Sequence, residues 1–453
     1  MIERRLYQYL LEWKESSARL PLILRGARQV GKSTLVRHFA QEYDEYLEFN
    51  LEKPQDKALF DSLEESGLDI TIQRLFLARK KQLNRDQSIL IFIDEAQEYP
   101  AVIEALRFFY EDYPELHVIL TGSLLDFSLQ TIQKVPVGRV TYLELHPINF
   151  IEFIKAQGNE MLIELINQVP YNNDLLEALF DAFHQYTTIG GMPNIVDTYL
   201  RNGEDLSSLT SLYSALVQSY TDDVVKYATN STLELVIKHI INAAPYAVDD
   251  RINLNKFGNS SFRTREVKEA MLSLQNARVL SLVYPTTHTK PPIVPEFKKR
   301  PRLHYLDIGL VNYQLNLQSE IIVLDNLHQL SKGKIVQQVI NQELKSLQIY
   351  PGYQPSFWVR DEAGTSSEVD IVYHYQQMLI PIEIKSGASG RLRSLHEFMD
   401  RCSHNFAVRL YNGPVEISQL KSRKDKTYHL LNLPYCLACK IESYLDWFIA
   451  EVA

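Results

Sequence analysis

Residues 26–33 read Gly26-Ala-Arg-Gln-Val-Gly-Lys-Ser33 and fit the pattern G-x-x-x-x-G-K-[ST] of a phosphate-binding loop. The apolar run Leu20–Arg25 before them predicts a buried strand, and Ser33–Ala40 after them predicts a helix. A strand, a glycine-rich loop and a helix in this order direct backbone N–H groups and a helix N-terminus towards phosphates. Because the predicted strand before the loop and the predicted helix after it both fit this arrangement, the sequence predicts a nucleoside triphosphate site, with ATP as the expected ligand.

The residues of this loop have distinct predicted roles. Lys32 should reach the β- and γ-phosphates, and the hydroxyl of Ser33 should bind Mg²⁺. The backbone N–H groups of the loop should cradle the phosphates. The full set of predicted nucleotide contacts is Gly26, Ala27, Arg28, Gln29, Val30, Gly31, Lys32, Ser33, Thr34 and, further along the chain, Ser123.

A second element completes the predicted site. The apolar stretch Ile89–Ile93 predicts a strand that ends in two acids, Asp94 and Glu95. Asp94 would hold the Mg²⁺ shell, and Glu95 would orient the attacking water as general base. Alone, such a pair also fits a polar strand end, but the upstream glycine loop favours a hydrolytic site.

Two later segments are weaker candidates for the same site. Leu120-Thr-Gly-Ser123 ends the next predicted strand, where Ser123 or Thr121 would sense the γ-phosphate or simply form a turn. Arg139 follows Gly138 and would complete the site of a neighbouring subunit, as an arginine finger does. A surface ion pair explains Arg139 equally well.

The first 150 residues alternate strand-like and helix-like stretches. Tyr46–Asn50, Ser88–Asp94 and Leu116–Thr121 are apolar and join the strand before the loop. Their near-continuous apolar character predicts a parallel sheet that is covered on both faces. Residues 1–150 are therefore predicted to form one nucleotide-binding domain.

The rest of the chain divides into three predicted segments. Residues 151–230 are helical, with a sharp turn at Gly190-Gly-Met-Pro193. Residues 231–290 give two helices and strand-like sequence, a pattern typical of a winged helix, and the proline-rich stretch 285–301 is a boundary or an extended wing. Residues 291–453 form the last domain.

The last domain contains two alternating stretches, Glu368–His374 and Pro381–Lys385, joined by four residues. With the turn at Gln376-Gln377, Asp370 lies opposite Glu383 and residue 368 opposite 385, so these side chains share a face. Two carboxylates beside a lysine suit a Mg²⁺ site that activates water for phosphodiester cleavage. Facing charges also stabilise plain hairpins, so both interpretations stay open.

Other candidates are less specific. Glu343, on the predicted helix Val336–Leu347, is an additional metal ligand or a solvated glutamate. The single C-x-x-C of Cys436 and Cys439 lacks enough partners for zinc or an iron–sulfur cluster and indicates reduced thiols.

Composition and net charge limit the classes of function expected for this chain. The 453 residues are 45% hydrophobic and 23% charged, without an apolar run long enough to span a bilayer, and there are only three cysteines. The first residues lack the apolar core of a signal peptide, so we expect a cytoplasmic protein with no membrane partner. Because the net charge is −9, DNA contacts would need a local basic patch. The stretch Lys385–Lys426 is a candidate, although it also fits a solvated face.

The order of the motifs resembles that of prokaryotic AAA+-type ATPases that carry a C-terminal domain of unknown function with a restriction-endonuclease-like, PD-(D/E)xK fold. The matching segments are Gly26–Ser33, Ile93–Gln97, Leu120–Ser123, Gly138-Arg139, Gly190–Pro193, Tyr220–Asp223, Arg265–Val267, Leu306–Leu310, Glu368–Asp370 and Glu383–Lys385. The resemblance implies an α/β multidomain protein. It has a P-loop NTPase domain with an AAA+ or RecA-like parallel sheet, a helical and winged-helix middle, and an α/β endonuclease-like C-terminal domain.

The resemblance also implies site roles in the last domain. Asp370 and Glu383 would be metal ligands, and Lys385 would orient the nucleophile. One departure is that this chain has Gln337-Gln338 early in a helix where related sequences often have a glutamate. Either Glu343 would supply the missing carboxylate, or metal binding is weakened.

These features together predict a Mg²⁺-dependent ATPase that acts on DNA as a homo-oligomer and has a nuclease-like C-terminal domain. One alternative is a DNA-binding ATPase whose nuclease fold is inactive. The other is a nucleotide-gated signalling switch with a protein partner.

Overall fold

The computed structural model describes residues 2–65, 67–122, 138–226, 228, 230–322, 333–353, 355–360, 367–385 and 392–452. Among the helices within these ranges, none combines the length and apolar character needed to cross a lipid bilayer.

The N-terminal part is built on a five-stranded parallel sheet with the order β2-β3-β4-β1-β5. Its strands are β1 (Leu22–Arg25), β2 (Glu45–Asn50), β3 (Ile89–Asp94), β4 (Leu116–Thr121) and β5 (Thr141–Glu144). Every residue of β3 and β4 is buried, as expected for central parallel strands covered on both faces. The predicted parallel sheet is confirmed.

Helices cover both faces of this sheet. They are α1 (Leu6–Glu15), α2 (Lys32–Phe39), α3 (Pro54–Lys57), α4 (Ser62–Glu65), α5 (Leu68–Ala78) and α6 (Ala101–Asp112). Leu22 and Leu24 of β1 share a core with α1 and α2, whereas Ile23 joins the core with α5 and α6. Successive strand residues point to opposite faces, so one apolar strand serves both cores.

A helical segment follows β5. Its helices are α7 (Phe150–Ala156), α8 (Glu160–Asn167), α9 (Leu176–Ile189), α10 (Pro193–Arg201) and α11 (Thr210–Val225). α9 ends at the Gly190-Gly191 turn, and Pro193 occupies the first turn of α10, where its missing N–H costs nothing.

Next come α12 (Ser231–Ala243), α13 (Thr264–Asn276) and the antiparallel pair β6 (Leu280–Val283) and β7 (Arg302–Tyr305). The order helix, helix, strand, strand agrees with the predicted sequence of elements. β7 lies after residue 290, so this strand pair crosses the predicted boundary between the third and fourth segments.

The C-terminal part contains a six-stranded mixed sheet with the order β12-β13-β11-β10-β9-β8. Its elements are α14 (Ile308–Leu315), α15 (Gln318–Ile322), α16 (Lys334–Ser346), β8 (Ser356–Val359), β9 (Glu368–Tyr375), β10 (Met378–Ile384), α17 (Arg393–Met399), β11 (Phe406–Tyr411), β12 (Glu416–Lys421), β13 (Thr427–Pro434) and α18 (Ile441–Val452). The pairs β10–β11 and β11–β13 are parallel, and the other pairs are antiparallel.

The β9–β10 hairpin has the predicted register. Met378 lies opposite Tyr375, and Ile382 lies opposite Ile371. This pairing places the turn at Gln376-Gln377 and continues towards Asp370 and Glu383. The predicted hairpin is confirmed.

Candidate functional site

The glycine loop connects the end of β1 to the start of α2. Gly26 has a φ of +148°, and a Cβ at this position would lie 2.4 Å from the backbone oxygen of Leu145. Gly31 has a φ of +94° and precedes Lys32, the first residue of α2. Both positions need glycine, because other residues rarely adopt these backbone angles and Gly26 has no room for a side chain.

Lys32 is buried in the mouth of this loop. Its Nζ donates to the backbone oxygens of Gly26 and Ala27, both at 2.9 Å. Burial lowers the Lys32 pKa to about 8, although the charges of Glu95 and Asp94 oppose this shift. The ammonium group is therefore poorly hydrated and its charge is available to an anion in the loop.

Asp94 at the end of β3 connects the loop to the neighbouring strand. Ser33 Oγ donates to Asp94 Oδ2 at 2.7 Å, and the backbone N–H of Glu95 donates to Oδ1 at 3.0 Å. Thr121, the last residue of β4, also donates to Oδ1. β4 lies between β1 and β3 in the sheet, so Thr121 at its end is next to Asp94 at the end of β3. Hydroxyl and carboxylate oxygens are ligands that Mg²⁺ prefers, so Ser33 and Asp94 fit this ion.

Of the two predicted phosphate sensors, Thr121 lies at the site through Asp94. Ser123 lies outside the described residues.

Glu95 leaves the strand in a left-handed conformation with a φ of +55°. Its side chain lines the cleft and accepts a hydrogen bond from Gln97 Nε2 at 2.6 Å. Burial raises the Glu95 pKa, the Gln97 bond lowers it, and the charge of Asp94 raises it further. A fixed carboxylate with a raised pKa suits a general base or a water-orienting group.

A cleft of about 610 Å³ opens over the loop, a size that suits a nucleotide. Its wall includes the predicted contacts Arg28, Gln29, Gly31, Lys32, Ser33 and Thr34 together with Glu95, and Pro193, Asn194, Asp197 and Arg201 of α10. The side chains of Ala27 and Val30 are buried in the core instead. These two residues can therefore contribute only backbone groups.

Sequence reasoning missed Arg4, which contacts the loop backbone and also lines the cleft. Arg4 Nη1 donates to the backbone oxygen of Val30 at 2.9 Å, and Nε donates to Glu152 Oε2 at 3.0 Å. Nη2 reaches the backbone oxygen of His146 at 2.5 Å. An arginine near the N-terminus carries no sequence signal for this role.

Helix α11 also contacts the loop. Tyr220 Oη donates to the backbone oxygen of Arg28 at 2.7 Å, and the Arg28 guanidinium pairs with Asp223. The resemblance included Tyr220–Asp223 but assigned no role to it.

Arg139 lies away from this site within the chain. Two residues later, Thr141 pairs with Leu22 at the start of β1, whereas the glycine loop follows the end of β1. Arg139 Nε pairs with Glu111 Oε1 at 2.6 Å. The expected ion pair is present, and the role of Arg139 in a neighbouring subunit stays a prediction.

The β9–β10 hairpin brings Asp370, Glu383 and Lys385 together. Asp370 Oδ2 accepts from the backbone N–H of Ile384 at 2.9 Å, and Lys385 Nζ lies 2.7 Å from Glu383 Oε1. Glu383 Oε2 is buried and has no hydrogen-bond partner among the described residues. Burial and the nearby Asp370 charge raise the Glu383 pKa to about 8, while Lys385 opposes the rise. An unpartnered oxygen beside a second carboxylate fits a divalent cation.

An arginine from β7 also enters this cluster, which sequence reasoning missed. Arg302 Nε donates to Glu368 Oε1 at 3.0 Å, and Nη1 donates to the backbone oxygen of Asp370 at 3.1 Å. Its Nη2 lies 3.5 Å from Asp370 Oδ1. Glu368 therefore pairs with Arg302 and with Arg251 at 3.4 Å.

The prediction that Glu343 adds a metal ligand to this cluster is corrected. Glu343 is buried where α16 packs against the helical segment, and its Oε1 accepts from Tyr186 Oη at 2.6 Å. Both carboxylate oxygens accept from the backbone N–H of Phe150 at 3.1 Å. Burial raises its pKa to about 7. Within the described ranges, no three acidic, histidine or cysteine side chains form a metal-binding group.

The parallel sheet, the glycine loop and the Asp94-Glu95 pair give the N-terminal part the arrangement of a P-loop NTPase fold. Residues 18–154 match the family described as AAA domain. Residues 180–321 and 332–434 match two domains of unknown function, DUF8612 and DUF4143. No curated protein matches the chain.

The chain also matches solved structures at low similarity. The Walker-type ATPase PABY2304 of Pyrococcus abyssi is 18% identical, with a TM-score of 0.43 over 70% of this chain and 96% of its own. The Aeropyrum pernix Orc1 protein in complex with DNA is 13% identical, with a TM-score of 0.32 over 70% and 91%. The Thermotoga maritima RuvB branch migration motor is 16% identical, with a TM-score of 0.29 over 62% and 89%.

The pKa of Lys32 leads to a prediction on pH. Only the protonated amine attracts phosphate, and burial makes Lys32 lose its proton near pH 8 rather than at its usual 10.5. We expect the affinity for a slowly hydrolysed ATP analogue to fall as the pH rises above 8, by up to about tenfold per pH unit. Equilibrium titrations between pH 7 and 9.5 measure this slope.

The matched control is Lys32→Arg, because its guanidinium stays charged throughout this range. Its affinity should be lower at pH 7 but should change little up to pH 9.5. The same slope in both proteins would show that another group causes the pH dependence.

Proposed function

We propose that this chain is a Mg²⁺-dependent ATPase that acts on DNA as a homo-oligomer, with a nuclease-like C-terminal domain. The observation that carries the ATPase part is the hydrogen-bonded set Ser33, Asp94 and Thr121, which lies beside Lys32 and Glu95. Lys32 and Ser33 begin α2, which follows the loop after β1, and the other residues lie at or just after the ends of β3 and β4. The same edge of the parallel sheet therefore positions all of them.

The residues have separate tasks in this proposal. Lys32 binds the phosphates, and the N–H groups at the start of α2 orient them. Ser33 and Asp94 would hold Mg²⁺, which neutralises phosphate charge when bound. Glu95 orients the attacking water and accepts its proton, and Gln97 holds the Glu95 carboxylate in place. Arg139 is proposed to act on the site of a neighbouring subunit.

The nuclease-like part of the proposal rests on the hairpin cluster. Asp370 and Glu383 would hold a divalent cation, and Lys385 would orient the attacking water. The order α16, β8, β9, β10, α17, β11, with β10 and β11 parallel, supports an endonuclease-like arrangement around the cluster.

Exposed basic residues in the C-terminal part support DNA as the partner. α17 packs on β9 and β10, and the backbone N–H of Glu368 donates to Ser394 Oγ of this helix at 3.4 Å. Exposed basic residues on α17, just after it and at the β12–β13 turn are Arg393, Arg401, Lys421, Arg423 and Lys424. Phosphate contacts from such residues are independent of DNA sequence and weaken steeply with salt.

A second candidate is a DNA-binding ATPase that does not cleave. Arg302 favours it, because this buried arginine already contributes positive charge to Glu368 and Asp370. Gln338 favours it as well, because it lies early in the helix where related sequences often have a glutamate. Its side chain is instead used in two hydrogen bonds with the backbone of Tyr305.

One experiment separates the two candidates. ATPase rate and DNA cleavage are measured in the same reactions with branched, linear and single-stranded DNA, in Mg²⁺ or Mn²⁺. We expect DNA to stimulate ATP turnover, and we expect metal-dependent nicking that Asp370→Asn reduces at least about 100-fold, as loss of a metal ligand should. Asp181→Asn, at an exposed position of α9, is the control and should cleave normally.

Stimulated turnover without cleavage of any DNA would favour the second candidate. ATP turnover that no DNA changes, together with no cleavage, would contradict the DNA part of both.

A further inference from the structure

One helix outside the ATPase sheet holds two successive residues of the glycine loop. Tyr220 Oη of α11 donates to the backbone oxygen of Arg28 at 2.7 Å, and Asp223 pairs with the Arg28 side chain. Gln29 Nε2 lies 3.4 Å from Ser219 Oγ. Residues 219, 220 and 223 share one side of the helix, so α11 docks on the loop through a single face.

The two partners of the Arg28–Asp223 pair differ in exposure. The Arg28 side chain is 33% exposed and lines the nucleotide cleft, whereas the Asp223 side chain is 7% exposed. A guanidinium has five N–H donors in a planar fork, and the hydrogen bond to Asp223 uses Nη1. Donors of Arg28 can therefore face a ligand in the cleft while the aspartate lies behind it.

Arg28 also lies near the position proposed for chemistry. Arg28 and Glu95 line the same cleft. Burial lowers the Arg28 pKa, but Asp223 and, less strongly, Glu95 raise it above its usual value. Glu95 is the group proposed to orient water towards the γ-phosphate. Lys32 and the loop N–H groups can bind a diphosphate or a triphosphate. A phosphate that faces Glu95 would lie in the cleft that Arg28 also lines.

We propose that Arg28 recognises the γ-phosphate of ATP, and that it exchanges Asp223 for that phosphate, which releases the end of α11 from the glycine loop. This inference rests on the proposed ATPase function and adds a residue that distinguishes ATP from ADP. It also links the nucleotide to a helix outside the sheet.

The charges around Asp223 permit this exchange. A buried carboxylate that loses its only cation is strongly destabilising. Asp223 has a second cation, because Lys226 Nζ lies 3.2 Å from its Oδ1. Arg28 gains in return a phosphate, which a guanidinium binds through two parallel hydrogen bonds. The Tyr220 bond to the Arg28 backbone can persist, so the loop keeps its anchor.

The test compares a slowly hydrolysed ATP analogue, ATPγS, with ADP in equilibrium titrations of the full chain. For Arg28→Ala we expect ATPγS affinity to fall about 10- to 100-fold, as for a lost charge-assisted contact, with ADP affinity within about twofold. For Asp223→Asn we expect ATPγS affinity to rise about three- to tenfold, because the competing charge is removed. Arg107→Ala, on the exposed side of α6, is the control and should bind both nucleotides normally.

A second measurement follows the helix itself. In the wild-type chain, ATPγS but not ADP should increase hydrogen exchange of the amides in residues 222–225, the end of α11 beyond the Tyr220 anchor. In Arg28→Ala, exchange in this segment should be the same with either nucleotide. This readout reports the release of α11 and is independent of turnover.

The outcomes separate this inference from the function on which it rests. Equal losses of ATPγS and ADP affinity in Arg28→Ala, or weaker ATPγS binding in Asp223→Asn, would overturn the exchange while wild-type turnover still supports an ATPase. Failure of the wild-type chain to bind either nucleotide would overturn the ATPase proposal, and the exchange with it.

Discussion

Replacing Lys32 with alanine is expected to reduce ATP turnover by a factor of at least about 100 to 1000, the loss typical when one group that stabilises transition-state charge is removed. Lys32 is buried in the loop, and its Nζ lies 2.9 Å from two backbone oxygens at the loop mouth. A charge in a poorly hydrated site acts on phosphate more strongly than one in water. Alanine removes this charge and leaves the phosphates with backbone donors alone.

The measurement is phosphate release under saturating ATP, combined with nucleotide binding. Glu95→Gln is the informative comparison, because it should retain binding while losing turnover, whereas Lys32→Ala should lose both. Lys238→Ala, an exposed lysine that pairs with Glu234 on α12, should behave like the wild-type chain. Turnover within about twofold of wild type in Lys32→Ala would contradict the assigned site.

Four of the five strands of the N-terminal sheet, β1 to β4, were predictable because their signals are local. They were expected from apolar sequence, and the glycine loop fixes which strand precedes a helix. β5, with the mixed sequence Thr141-Tyr-Leu-Glu144, was not predicted. The β9–β10 register was predictable for a similar reason, since a two-residue turn at Gln376-Gln377 determines every opposite pair. Local rules therefore placed Asp94 and Glu95 at the nucleotide site and Asp370 opposite Glu383.

Contacts between distant segments were not predictable. The helical period around Glu343 indicates a buried face but does not say what covers it, and its carboxylate in fact binds Tyr186 and the backbone of Phe150. Arg302 likewise precedes Asp370 by 68 residues, and its approach depends on how β7 packs against the C-terminal sheet. Pairing of buried charges across elements requires the tertiary structure, which a single sequence does not supply.

The turn Gly190-Gly191 lies where several segments of the chain meet, which explains its glycines. The backbone N–H of Gly191 donates to Asp307 Oδ2 at 2.6 Å, and its carbonyl accepts from Ile148 N–H at 2.7 Å. Asp307 is fully buried and also accepts from Gln342 Nε2 of α16 at 3.2 Å. Asp307 thus joins the helical segment to the C-terminal part, and the Gly191 carbonyl joins this turn to Ile148, which follows β5.

Replacing Gly191 with alanine is expected to reduce the free energy of unfolding by about 3 kcal/mol or more. A Cβ at this position would lie 2.0 Å from the backbone oxygen of Ile148, so the turn cannot accept a methyl group without moving away from Asp307. If the turn moved away, the buried carboxylate of Asp307 would lose the N–H donor of Gly191, and this loss adds to the steric cost. Thermal unfolding and urea unfolding measure the loss.

Gly158→Ala is the matched control, because Gly158 has a φ of +71° but no atom within 4 Å of an added Cβ. It should cost only the backbone strain of about 1–2 kcal/mol. Gly191→Ala should also weaken nucleotide binding, because Pro193 and the rest of α10 follow this turn and line the cleft. If Gly191→Ala lost no more stability than Gly158→Ala, the turn could move away from Ile148 without destabilising the fold. The close contact at Ile148 would then not be what holds the three parts together.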